Sequence, residues 1–295
     1  MAGAWISLIR VSMGRSRTSI ILSASSDIGA ELARRRLAAG GRVFGTFRQD
    51  GGNVESLRTL GASLFVADFS RGESVKSACE LIAAQAAPWD ELIVAPGTLE
   101  PIGLFEELDF DRWSSSFNVN FFNPLRAVQA LLPGRLPGAA VVFFAGGGTN
   151  GAADRFSAYT ASKIALIKMT ELLHSEIEDA RFVILGPGWI RTKIHEETLR
   201  AGDAAGASCA ETRRRLEAGD FGSMASVLDC IDWTLQQPRS VVGGRNLSVQ
   251  HDNWSSEALA GILEADANAG KLRRHGNATM ATDTTPRNKH PGIER

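Results

Sequence analysis

Short, unbroken apolar runs alternate with helical patterns along most of this chain, and that alternation restricts its fold more than any single motif. An apolar run with no polar face suits a strand in a sheet covered on both sides. Residues 19–22, Ser-Ile-Ile-Leu, form the first such run, and others follow at 42–47, 63–67, 91–95, 139–144, 181–185 and 241–249. Between them the spacing predicts helices from Ile28 to a stop at Gly40-Gly41, from residue 72 to 86, and over 110–132, 157–177, 227–235 and 255–265. Asp27 is the expected N-cap of the first helix, and Ser70-Arg71-Gly72-Glu73 the expected capping box of the second. Pro124 is expected to kink the 110–132 helix. The polar and basic stretch 189–221 reads as one or two mobile helices. Seven strands alternating with helices predict an α/β fold with a doubly wound, parallel seven-stranded sheet in a single domain.

Composition narrows the function classes. With 295 residues and 44% hydrophobic content the chain can bury a full core, and a net charge of −1 gives no pull towards nucleic acid or membrane. Cys79, Cys209 and Cys230 are few, odd in number and far apart, which suits a reduced compartment and neither a disulfide frame nor a zinc site. The apolar run at residues 4–9 is too short to span a bilayer and has no basic segment before it. The expectation is a cytoplasmic protein. Residues 1–16 read as an N-terminal extension, either a loose arm or an artefactual start with Met13 as the true one. Residues 17–274 form the expected domain, and the polar stretch 275–295 the expected disordered tail.

In a doubly wound sheet, ligands bind beyond the carboxyl ends of the strands. The turn after the first strand, Ser23-Ala24-Ser25-Ser26-Asp27, is small and polar and leads into a helix at Ile28. Free N–H groups and the helix dipole there suit a pyrophosphate, with an ordinary polar turn as the other reading. Arg48, just past the second strand, favours a ribose 2′-phosphate, or else is a solvated strand-end arginine. Further on, Ser157-Ala158-Tyr159-Thr160-Ala161-Ser162-Lys163 opens the 157–177 helix. Tyr159 is the chain's only tyrosine, and Lys163 follows it at i+4 on the same helix face. An ammonium in that place is expected to lower the phenol pKa from its usual ~10, giving a proton donor and acceptor usable near neutrality. Taken alone, Tyr-x-x-x-Lys also arises as a core aromatic beside a surface lysine.

Set side by side, these stretches resemble the compact, single-domain short-chain dehydrogenase/reductases over residues 19–249. The family's Thr-Gly-x-x-x-Gly-x-Gly falls on Leu22-Ser23-Ala24-Ser25-Ser26-Asp27-Ile28-Gly29, which keeps only the last glycine. Asp68, followed by Phe69, stands at the adenine contact, and Ala95-Pro96-Gly97 replaces Asn-Ala-Gly. Asn120 in Asn118-Val119-Asn120 matches the helix asparagine, and Pro187-Gly188-Trp189-Ile190-Arg191-Thr192 the Pro-Gly-x-x-x-Thr beside the nicotinamide. The resemblance implies a Rossmann-like fold and hydride transfer between NADP(H), favoured over NAD(H) because of Arg48, and a carbonyl or alcohol. Tyr159 would handle the proton, Lys163 would hold the phenol and the nicotinamide ribose, and Asn120 would anchor a water. The implied cofactor contacts are Ser23, Ser25, Ser26 and Ile28 at the pyrophosphate. Arg48, Asp68 and Phe69 would meet the adenosine, Ala95 and Gly97 would line the cofactor at the place of the family's Asn-Ala-Gly, and Pro187, Gly188, Ile190 and Thr192 would meet the nicotinamide.

One member of the family set is missing. A serine stands thirteen positions before the tyrosine in the family, and that position here is Gly146, flanked by Ala145 and Gly147. Thr149 is the nearest hydroxyl and Asn150 the nearest amide, so the donor is either replaced by one of them or by a backbone N–H, or lost. A loss would leave a slow enzyme or a catalytically silent dinucleotide-binding protein. A sugar epimerase or dehydratase is a weaker reading, because no acid–base pair stands out beyond Tyr159. Arg191, Lys193, His195, Arg200 and Arg213-Arg214-Arg215 would suit a phosphate- or carboxylate-bearing substrate such as a nucleotide sugar, or form a solvated face. His195 has no second ligand at a metal-binding spacing. Trp113, Phe117 and Phe121 read as packing, on a helix that the resemblance places in a homodimer or homotetramer interface.

Overall fold

The structure, a computed structural model, describes residues 15–275. Most of the N-terminal arm and of the polar tail expected above therefore lie outside the described residues. Strand β1 (Thr18–Leu22) leads into helix α1 (Asp27–Ala38), then β2 (Arg42–Phe47), α2 (Gly52–Thr59) and β3 (Ser63–Val66). Helix α3 (Gly72–Ala86) and β4 (Trp89–Val94) follow. The chain continues through α4 (Phe110–Phe117), a π-helical turn (Asn118–Phe122) and α5 (Asn123–Leu131) to β5 (Arg135–Phe144). Helix α6 (Ser157–Glu176) and β6 (Ala180–Gly186) precede two helices, α7 (Ile194–Ala201) and α8 (Ala207–Ala218). The last elements are α9 (Met224–Gln236), α10 (Arg239–Val242), β7 (Asn246–Ser248) and α11 (Glu257–Ala265).

All seven strands run parallel in the order β3-β2-β1-β4-β5-β6-β7. This is the doubly wound sheet that the apolar runs predict, and strand alternation divides its core in two. Ile20, Leu22, Leu92, Val141, Phe143 and Phe182 face the layer built by α3, α5 and α6. Ile21, Ile93, Val142, Val183 and Leu185 face the layer of α1, α9 and α11. Because the central strands are buried on both faces, they read as unbroken apolar runs.

Several local expectations give way to tertiary partners. Ser26, not Asp27, caps α1, accepting from the Gly29 N–H at 3.2 Å. No capping box forms on α3, since the Ser70 hydroxyl donates to Asp68 at 2.7 Å instead. The 110–132 helix breaks at the π-helical turn, and Pro124 starts α5 beyond it, where a missing N–H costs nothing. Of the predicted strand 241–249 only Asn246–Ser248 pairs with β6. Val241 and Val242 belong to α10, which starts after Pro238, and the chain then turns at Gly244 with φ +70°. No helix among the described residues is long and apolar enough to cross a membrane.

Candidate active site

Every turn singled out in the sequence follows the carboxyl end of a strand, and in a parallel sheet those ends share one edge. On that edge α6 presents Tyr159 in its first turn and Lys163 one turn later. Ala158, Ser162, Leu166, Ile167 and Thr170 bury the same helix against the sheet and its neighbours, so the backbone under the pair is held rigidly. Lys163 is 5% exposed, donates from Nζ to the Phe144 carbonyl at 3.0 Å, and stands 5.8 Å from the Tyr159 ring centroid. Burial lowers the Lys163 pKa to about 8. Burial also pushes the Tyr159 phenol up to about 12, helped by the nearby Glu197 charge, although the residue keeps some surface open at the cleft. In the free protein burial and the Glu197 charge raise the phenol, contrary to the lowered pKa expected from the i+4 spacing. At neutral pH the site holds a neutral phenol beside an ammonium.

The glycine in the serine position has a steric meaning that the sequence hides. A Cβ placed on Gly146 would lie 2.5 Å from the Tyr159 Oη and Cε1 and 2.6 Å from its Cζ. The phenol thus rests directly on the glycine backbone and fills the space of a side chain. Among the described residues, neither Thr149, which is half-buried, nor Asn150, which is exposed, has a hydrogen-bonded side chain. Restoring the family residue should therefore fail as a rescue. In Gly146→Ser the new Cβ must displace the ring, and overpacking of this kind costs about 1–3 kcal/mol. Thermal unfolding of the variant should show a lower Tm without a gain in turnover; a faster enzyme of unchanged Tm would contradict this packing.

Asn120 is fully buried in the π-helical turn and works on the loop after β4. Its Oδ1 accepts from the Thr98 N–H at 2.9 Å, and its Nδ2 donates to the Thr98 carbonyl at 3.0 Å and to the Ser116 Oγ at 3.1 Å. A Cβ on Gly97 would be 3.6 Å from the Asn120 Oδ1 and 3.7 Å from the Lys163 Nζ, so the glycine brings the amide and the ammonium to one spot. The same loop receives Glu197 from α7, whose Oε2 accepts from the Leu99 N–H at 2.6 Å and from the Thr98 Oγ1 at 3.1 Å. Burial raises the Glu197 pKa, partly opposed by those two hydrogen bonds.

The remaining turns carry the residues that the resemblance assigns to a dinucleotide. Ser23 adopts φ 59°, and its N–H donates to the Thr46 Oγ1 at 2.8 Å. A Cβ on Gly29 would be 2.5 Å from the Ser23 carbonyl, so only glycine lets α1 approach the turn this closely. Ser25, Ser26 and Ile28 are half-buried around it. Asp27 turns its carboxylate to the Lys193 N–H at 2.8 Å, tying the first turn to the segment after β6. Arg48 is exposed, and Phe69 is buried beneath the Asp68 turn. Burial opposes ionisation of Asp68, but hydrogen bonds from Ser70 and the charges of Arg48 and Arg71 hold its pKa below the usual value. After β4, Ala95 donates to the Leu22 carbonyl at 3.2 Å. Gly188 takes φ +76°, Ile190 is buried, and Pro187 and Thr192 are half-buried. Trp189 lies between His195, stacked at 4.4 Å, and the Arg215 guanidinium at 4.8 Å.

Residues 17–202 match the short chain dehydrogenase family. The chain belongs to that family. An uncharacterized oxidoreductase of Schizosaccharomyces pombe is 26% identical over 187 residues, covering 62% of this chain and 75% of that protein. A 3β-hydroxysteroid dehydrogenase of Eggerthella lenta is 26% identical over 247 residues, 80% of this chain and 92% of that one. Among solved structures, a short chain dehydrogenase of Burkholderia cenocepacia in complex with NADP superposes with a TM-score of 0.65 at 22% identity. That superposition covers 79% of this chain and 95% of the other. The protein is therefore a dehydrogenase/reductase of the short-chain family with a Rossmann-like fold.

Against the family pattern, Glu197 is the residue that sequence reasoning missed. Its only signal was its position five residues after Thr192, in a segment read for its cations. Three of those cations are paired with carboxylates: Arg214 and Arg215 with Glu211 at 2.8 and 2.7 Å, and Arg200 with Glu100 at 3.9 Å. A groove of about 740 Å³ along α1 and α9 reaches the strand-end turns only through Asp27 and Arg191 and contains none of the Tyr159 cluster.

Proposed function

We propose that this short-chain dehydrogenase/reductase moves hydride between NADP(H) and a carbonyl or alcohol, with Tyr159 as the acid–base group. The observation that carries this reading is Lys163. Its ammonium is buried, yet only one acceptor, the Phe144 carbonyl, is recorded for its three N–H donors among the described residues. Donors left over beside the only phenol fit the hydroxyls of a nicotinamide ribose. Two further features fit the dinucleotide. The N–H groups of Asp27 and Ile28 at the start of α1 have no partner among the described residues, which suits a pyrophosphate. Arg48 and Arg71 both act on Asp68 through their charges, which suits a 2′-phosphate.

When bound, NADP(H) supplies or accepts the hydride. The protein's own residues handle the accompanying proton. Tyr159 gives it to the substrate oxygen in reduction and takes it in oxidation. Lys163 holds the proton path electropositive, and Asn120 fixes the Thr98 loop on which the substrate would rest. With Gly146 in the serine position the reacting oxygen has one side-chain donor fewer, and loss of such a donor costs about 100-fold or more in rate. The second reading, a silent dinucleotide-binding protein, is favoured by that same glycine. The exposed rings of Phe105, Phe110 and Phe122 beside Trp113 and Phe117 support the homodimer or homotetramer inferred from the resemblance.

Titrating the purified protein with NADPH and NADH while following nicotinamide fluorescence tests this reading. NADPH should bind about 10-fold or more tightly than NADH, and Arg48→Glu should reverse the order. Binding of neither would end the oxidoreductase reading, and tighter NADH would remove the role given to Arg48. A sizing column run on the same preparation should elute above the monomer mass.

A further inference from the structure

We propose that Glu197 selects the substrate: its carboxylate receives a hydroxyl on the carbon next to the reacting one, so the enzyme acts on vicinal diols and α-hydroxy ketones and disfavours acids. The proposal rests on the oxidoreductase reading above. It starts from an asymmetry in how the carboxylate is held. Both recorded hydrogen bonds, from the Leu99 N–H and the Thr98 Oγ1, end on Oε2. Oε1 has no partner among the described residues and is not sealed from solvent. One oxygen is anchored and the other is left free to accept.

The anchor places that open oxygen at the reacting end. Thr98 is gripped through both its backbone groups by Asn120, and the adjoining Gly97 sits against Asn120 and the Lys163 Nζ. Glu197 is also near enough to Tyr159 for its charge to act on the phenol. The remaining charged neighbours, Glu100 and Arg200, face each other at 3.9 Å on the solvent side. A carboxylate only accepts hydrogen bonds, so its substrate partner must be a donor. A substrate ammonium would meet the Lys163 charge, and a substrate carboxylate would meet Glu197 itself. A hydroxyl meets neither penalty. The same anionic wall counts against the phosphate- or carboxylate-bearing substrate suggested by the basic segment.

Four compounds that differ only at the carbon beside the carbinol test this: propylene glycol, isopropanol, isopropanolamine and lactate, each oxidised with NADP⁺. The wild type should favour propylene glycol over isopropanol by about 10- to 100-fold in kcat/KM, the factor carried by a hydrogen bond to a charged group. Lactate should be poorer than isopropanol. Glu197→Gln keeps an acceptor for Leu99 but removes the charge. It should bring propylene glycol to within a few-fold of isopropanol and improve lactate, with NADPH binding unchanged. A purely structural role for Glu197 would instead depress all four compounds together, and that result overturns the proposal. So does a wild type that prefers isopropanolamine or lactate, or one that binds NADPH but oxidises none of the four. Failure to bind NADPH would overturn the underlying oxidoreductase reading as well.

Discussion

Replacing Glu91 with alanine should destabilise the protein by about 3–5 kcal/mol, the range found when one partner of a buried ion pair is removed. Glu91 lies in β4 at 1% exposure, and its Oε1 accepts from the Arg36 Nε and from the Ser19 Oγ, both at 2.5 Å. Arg36, in α1, is itself buried and reaches Asp232 of α9 at 2.6 Å. One carboxylate thus joins two central strands to the helices that cover them, in the same sheet whose carboxyl edge carries the site. Without it, the guanidinium remains buried with a single, half-exposed partner, and the Ser19 hydroxyl loses its acceptor. Guanidinium unfolding should show a lower midpoint with an unchanged slope. Replacing both partners, Glu91→Leu with Arg36→Leu, should recover most of the loss, because the desolvation cost leaves together with the charges. A Glu91→Ala protein with the wild-type midpoint would show that the pair contributes nothing.

How much of this was legible in the sequence depended on whether local chemistry or a distant partner decided the outcome. The strands were legible because burial on both faces leaves an unbroken apolar run, as at Ile20, Ile21 and Leu22. Helix α2 was not: it begins at glycines and buries only Val54 and Leu57, too few to show a period. The end of the sheet misled for the opposite reason. Val241 and Val242 are as apolar as a strand, but a helical turn after Pro238 and the bend at Gly244 take them out of the ladder. In the candidate site, Tyr159, Lys163 and Asn120 could be proposed from the sequence because their spacing is local or matches a family motif. Glu197 could not, since its bonds to Thr98 and Leu99 join positions 99 and 98 residues away. Gly146 was half legible. The missing hydroxyl is plain in the sequence, but only the structure shows the Tyr159 ring lying where a side chain would be.

That ring makes the largest functional prediction unusually easy to read. Tyr159→Phe should lower turnover by about 100- to 10,000-fold, the span of general acid–base catalysis, while NADPH still binds. Because Tyr159 is the only tyrosine, its ionisation can be followed directly by ultraviolet absorbance, with the phenylalanine variant as a blank. Burial pushes the phenol up to about 12 in the free protein, so at pH 10, where an ordinary phenol is about half ionised, the folded protein should show almost no tyrosinate. With Tyr159 as the proposed base, oxidation of an alcohol would draw on the phenolate, whose fraction grows as pH rises towards the pKa. Wild-type oxidation should therefore climb with pH through the alkaline range, whereas reduction, which uses the neutral phenol, should not. Glu197→Gln removes a negative charge that raises the phenol pKa, so its oxidation profile should move to lower pH. Turnover retained in Tyr159→Phe, with an unchanged pH profile, would mean that the proton travels by another group and that the helix bearing this pair only packs.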